Sequence, residues 1–155
     1  MPTKGLFQLT EPRDLLAKLI HDFDRLRESP NDSYIAFDLF VTAEHMLDWL
    51  YPGVAGKAQR TAERNSQQIL QVVSHLATGA KHMVPEDPRH ASVRHSDVAQ
   101  SGYGEGPYGV VPYGGGPYLV VELDGPAAVA FGKIVTPLAL AERVLAYWRA
   151  HSALR

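Results

Sequence analysis

Two hard stops in the first half of the chain constrain its fold more than any other feature. Ser29-Pro30 and Tyr51-Pro52-Gly53 separate runs in which apolar residues recur at spacings of three and four, and such breaks cannot be absorbed inside a helix. The first run opens with Thr10-Glu11-Pro12, a capping hydroxyl, an acid and a proline whose missing N–H costs nothing in a first turn. Leu15, Leu16, Leu19, Ile20, Phe23 and Leu26 form its apolar stripe, with Asp14, Lys18, Asp22, Arg25 and Glu28 on the opposite face. The pattern predicts a helix over 11–29. A second, over 33–51, carries Phe37, Phe40, Ala43, Leu47 and Leu50 inward.

A third helix is expected over 57–83. Its first half, Lys57 to Gln68, is almost wholly polar, whereas Ile69, Val72, Val73, Leu76 and Ala80 make the second half amphipathic. A helix polar for three turns either protrudes or turns that half toward a cleft or a partner. Three such helices joined by short links pack antiparallel. Thr136-Pro137 repeats the opening device and starts a last helix over 137–152, with Leu138, Ala141, Leu145 and Trp148 on one face.

Between Pro85 and Pro117 helical periodicity is lost, and Gly, Pro and Tyr dominate. Tyr103, Tyr108, Tyr113 and Tyr118 recur every five residues. Five is odd, so in an extended chain successive tyrosines alternate faces and do not form one stacking ladder. The segment reads either as a surface loop or as a Tyr-lined clamp for a partner. Tyr118 to Leu123 has strand composition, and Asp124-Gly125 is a hairpin signal, so a hairpin is expected over 118–135 with Ala127 to Val135 returning. The predicted fold is mainly α: one domain over 1–155, an up-and-down bundle of about four helices (10–84 and 137–152) interrupted by a loop and small β-hairpin (85–135). The expected core comprises Leu16, Leu19, Phe23, Phe37, Phe40, Leu47, Leu50, Val73, Leu76, Leu145 and Trp148.

Composition narrows the chemistry. With 155 residues, 45% hydrophobic and 21% charged, the chain is of ordinary globular make-up. A net charge of -2 argues against a strongly basic nucleic-acid binder. The absence of Cys excludes disulfides, thiolate-held metals and a thiol nucleophile. No apolar run has the length of a membrane span, and the first residues lack a secretory apolar stretch, so a cytoplasmic location without membrane contact is expected. No Walker-type loop, dinucleotide fingerprint or serine elbow is present. Glu44-His45-Met46-Leu47-Asp48-Trp49 is not a zinc-protease helix, because it lacks the second His four residues on. No cofactor is expected.

Seven His are present. His21, His45 and His75 fall on three different helices and could meet as metal ligands, which needs no Cys; scattered, hydrogen-bonded histidines are the alternative. Basic groups crowd the end of the third helix and its exit: Lys81, His82, Arg89, His90, Arg94 and His95. Imidazole can move a proton near neutral pH, and guanidinium can hold a phosphate and its developing charge. Arg89, His82 and His95 are the candidate catalytic groups, and Lys81, Arg94, Tyr103, Tyr108 and Tyr113 the candidate binding groups.

A small helical bundle carrying Arg89-His-Ala-Ser-Val-Arg-His95 resembles the HEPN superfamily over residues 10–95. That resemblance implies a homodimer in which two Arg/His elements face one cleft, and a metal-independent ribonuclease of a bacterial toxin or defence system. Here the element follows prolines and is expected in a loop, where the family carries it on a helix. Two main readings stand: a bundle acting by partner binding or self-assembly, and an HEPN-like ribonuclease binding RNA. A His-ligated metal protein is the third.

Overall fold

The computed structural model describes residues 4–83, 87–99 and 117–155. Tyr103, Tyr108 and Tyr113 lie outside the described residues. Among the described residues the chain is mainly helical, with six α-helices and a small three-stranded antiparallel sheet. α1 (Pro12–Glu28) and α2 (Ser33–Leu50) lie against one another. Asp14 Oδ2 starts α1 by accepting the N–H groups of Thr10 and Glu11, at 2.8 and 2.9 Å. Asp32 starts α2 by accepting from Tyr34 and Ile35.

The expected third helix is two helices. α3 (Lys57–Ser66) and α4 (Gln68–Lys81) meet at Gln67, whose backbone is extended. Neither proline nor glycine marks the break. Side chains take up the backbone carbonyls of the last turn instead: Ser66 Oγ donates to the Glu63 carbonyl, and Gln71 Nε2 to that of Asn65. The polar half does not protrude. Arg60 Nε lies 3.2 Å from Asp48, and Arg64 Nη2 lies 2.7 Å from Glu44, so charge fastens α3 to α2.

The expected hairpin is also reorganised. β1 (Val93–Ala99), β2 (Tyr118–Leu123) and β3 (Ile134–Val135) form the sheet in that order. Between β2 and β3 stands α5 (Gly125–Phe131). Asp124 serves as its cap, accepting the Gly125 N–H at 2.9 Å, and Pro126 occupies its first turn, so Asp124-Gly125 opens a helix and not a hairpin. Gly132 ends it at φ 97°, a backbone angle that a side chain would strain. Only Ile134 and Val135 return to the sheet, pairing with Glu122 and Val121.

α6 (Pro137–Ala150) is capped by Thr136 Oγ1, which accepts the Ala139 N–H. It packs on α1, α2 and α4, and α2 packs on α4. Their common core includes Leu19, Leu39, Met46, Leu47, Val73, Leu140, Val144 and Trp148, and β2 adds Leu119, Val121 and Leu123 from above. Two expectations about helix faces fail. Phe37 is 49% exposed while Phe40 is 6% exposed, because the buried stripe of α2 runs through Ala36, Leu39, Ala43 and Met46. Asp22, assigned above to the polar face, is buried against α2, where its Oδ2 receives Thr42 Oγ1 at 2.8 Å and Lys18 Nζ at 2.6 Å. Leu16, Phe23, Leu50 and Leu76 are partly buried at the margin of the core.

Candidate functional site

The basic residues singled out in the sequence are spread over the end of α4, the turn after it and β1. Lys81 closes α4, and the His82 N–H donates to the Thr78 carbonyl at 2.7 Å; both side chains are exposed. Arg89 lies in the turn, with Nε 3.1 Å from Asp87 Oδ2. Arg94 and His95 sit on an exposed strand and not in a loop. Arg94 Nη1 is 3.6 Å from Glu122 Oε1 across the sheet, and His95 Nε2 is 3.4 Å from Asp97 Oδ2 along the strand. Each of Arg89, Arg94 and His95 therefore has its own carboxylate. Among the described residues, no hydrogen bond or ion pair joins Arg89, His82 and His95 to one another.

The turn gathers other imidazoles. His75, buried on α4, accepts the Val93 N–H through Nδ1 at 3.1 Å, and its ring lies 5.3 Å from that of His90. Burial, and secondarily the neighbouring His90, pull its pKa down to about 4. It is therefore a neutral acceptor at physiological pH, which suits a structural pin better than an acid–base catalyst. Burial also lowers the pKa of His90, helped by the positive charges of Arg89 and Arg64 and opposed by Asp87. His21 and His45 are exposed. Among the described residues no three His, Asp or Glu side chains converge as ligands, so His21, His45 and His75 do not form the metal site considered above.

Two polar clusters escaped the sequence reading. Glu63 of α3 receives the Tyr147 hydroxyl at 2.5 Å and His151 Nε2 at 2.8 Å. The Tyr51 hydroxyl bonds the same carboxylate, which pushes that phenol's pKa up to about 12. Burial and the same carboxylate push Tyr147 up as well. The second cluster is the Glu44–Arg64 ion pair, joined by Ser74. Burial raises the Glu44 pKa, although Arg64 opposes the shift. The i,i+4 pair Tyr147/His151 was a visible signal, but its acceptor lies 84 residues away in the chain. Both clusters fasten α3 to the helices beneath it.

The surface feature that adjoins the basic residues is a groove of about 580 Å³ between β1 and helices α2 and α4. Phe37, Phe40, Leu76, Met83, Val98 and Leu119 give it an apolar lining, and Phe37, Met83 and Val98 are substantially exposed. β1 forms one wall from Val93 to Val98. Five of its seven residues are exposed, and its only strand neighbour among the described residues is β2. Among the described residues no helix is long and apolar enough to cross a membrane. No family model, no curated protein and no solved structure matches this chain.

Proposed function

We propose that the protein acts by binding a protein chain, its own or another's, along the groove and the outward edge of β1. The observation that carries this reading is the edge strand itself. It is seven residues long, one side is paired to β2, and among the described residues no strand pairs the other side, which lies beside exposed apolar groups. Such an edge is a template for an added strand, with main-chain hydrogen bonds supplying affinity and flanking side chains selectivity. The scatter of Arg89, His82 and His95, each away from the others, favours binding over acid–base chemistry.

The competing reading is an HEPN-like, metal-independent ribonuclease. It draws support from the nearness of Arg89, His90 and His75, with Arg64 within electrostatic reach of His90. One assay separates the two: purified full-length protein incubated with RNA in the presence of EDTA. The binding reading expects intact RNA. Cleavage that disappears when Arg89 and His95 are both changed to Ala makes the protein an enzyme and ends the binding reading.

A further inference from the structure

The parity of β1 selects what its free edge can pair with. On β2, the Leu119 N–H donates to Asn31 Oδ1 and the Leu123 N–H to the Lys133 carbonyl, both away from β1. The odd-numbered residues of β2 therefore face away from β1, and so do the β1 residues opposite them. Val98 lies opposite Leu119, and Ser96 opposite Val121. The backbone groups of Ser96 and Val98 consequently point outward from the sheet. His95 and Asp97, opposite Glu122 and Val120, direct theirs inward to β2.

An antiparallel strand added to this edge must use the outward groups of Ser96 and Val98. If that strand is β1 of a second copy, the two-fold axis has only a few places to fall. An axis at His95 sets the two His95 side chains opposite one another, and an axis at Asp97 sets the two carboxylates opposite one another. An axis at Ser96 lies at the middle of the strand and matches His95, Ser96 and Asp97 with the same residues of the second copy, short of the Val93 N–H that His75 already holds. It also places His95 of each copy directly opposite Asp97 of the other. These are non-hydrogen-bonded pairs, in which opposing Cα atoms approach to about 4.5 Å and side chains meet most closely. The bulge between Val93 and His95 confines the regular part of this pairing to the stretch around Ser96. The groups at its centre are complementary, an imidazole facing a carboxylate, and they are so twice.

We propose that two copies of the chain pair through β1, antiparallel and centred on Ser96, with reciprocal His95–Asp97 contacts and one six-stranded sheet across the two-fold axis. The proposal rests on the binding reading above and names the second copy as the occupant. In the single chain Asp97 already reaches both groups involved: its Oδ1 accepts the outward Val98 N–H at 2.7 Å, and its Oδ2 lies 3.4 Å from His95 Nε2. Pairing passes the Val98 N–H to a carbonyl of the added strand and turns the carboxylate to His95 of the second copy. Val98, on the helix-facing side, carries the apolar groove with Phe37 up to the join.

The test is the oligomeric state of the full chain at micromolar concentration, by sedimentation or light scattering, for four proteins. The unaltered chain is expected at twice the monomer mass. Asp97→Lys removes the carboxylate acceptor and sets an ammonium against an imidazole at both symmetric contacts, and is expected to raise the dissociation constant by about tenfold or more. Ser96→Pro removes an outward N–H that β2 does not use, so it should break the dimer while circular dichroism and thermal midpoint stay unchanged. Exchanging the pair, His95→Asp with Asp97→His, restores complementarity in the same register and should restore the dimer. A dimer that survives both Asp97→Lys and Ser96→Pro meets elsewhere, which overturns this proposal and leaves self-association standing. A monomer in every case overturns it too, and the RNA assay then decides whether the binding reading also falls.

Discussion

His75 accepts the backbone N–H of Val93 through Nδ1 at 3.1 Å, and this bond ties the first residue of β1 to the middle of α4. The strand has few other anchors on its helix side. Its remaining regular bonds run to β2, and Ser92 just before it reaches the Gln71 carbonyl at 3.4 Å. His75→Ala should therefore loosen β1 selectively. Leaving a largely enclosed N–H without an acceptor costs about 1–3 kcal/mol. Hydrogen exchange should show lost protection at Val93 and along β1, with α1 and α6 unchanged. Uniform loss across the molecule would show that the pin is not local.

The same residue sets a pH dependence whose sign is fixed. His75 takes up a proton at an ordinary pKa of 6.5 when unfolded, but only near 4 when folded. Between these values the unfolded chain binds more protons, so the contribution is full above pH 6.5, declines as pH falls through that window, and is gone below about 4. Glu44, its pKa raised by burial, acts with the opposite sign at the lower end, because its folded form holds the proton longer. Denaturant midpoints measured against pH should fall on acidification from 6.5, and His75→Ala should flatten that slope.

Phe37 and Phe40 separate packing from surface. Phe40→Ala should cost about 3–5 kcal/mol, as expected when a buried ring leaves a cavity. Phe37→Ala, at a ring 49% exposed, should cost less than about 1 kcal/mol. Urea unfolding of the two variants gives the comparison, and equal losses would show that the groove is closed over Phe37.

Glu63 can be read through its tyrosines. With its charge present the Tyr51 phenol is held up to about 12, and Tyr147 is displaced in the same direction. Glu63→Gln keeps the shape and removes the charge, so both phenols should ionise at lower pH. Alkaline absorbance titration reports this directly. An unchanged curve would mean that burial alone sets these values. The same variant weakens the attachment of α3 to α6, so exchange protection in α3 should fall first.

Much of the helical frame was legible because its signals are local. Pro12, Asp32 and Thr136-Pro137 mark helix starts within one turn of the groups they satisfy. The break at Gln67 was not legible, since the side chains that bond backbone carbonyls there are those of Ser66 and Gln71, and neither proline nor glycine marks it. Asp124-Gly125 was ambiguous by nature: an Asp before Gly can turn a hairpin or cap a helix, and the alanines after Pro126 decide for the helix. β1 was invisible because Val93-Arg-His-Ser-Asp-Val-Ala99 shows no alternation of apolar and polar residues, as befits a strand exposed along most of its length. For the site, Arg94 and His95 were recognisable as chemistry-bearing residues. Their strand setting was not, because Glu122 reaches Arg94 only through a non-local pairing.

The brevity of β3 carries a consequence for assembly. Ile134 and Val135 are its only residues, so the far side of the sheet gives an incoming strand almost nothing to match. Among the described strands, β1 alone offers an edge of useful length. Strand addition between identical chains consumes that edge in both of them, and the product has no growing end. If the proposed pairing forms, addition stops at two and does not run on into a filament. On raising the concentration, the average mass should level off at a plateau instead of climbing without limit.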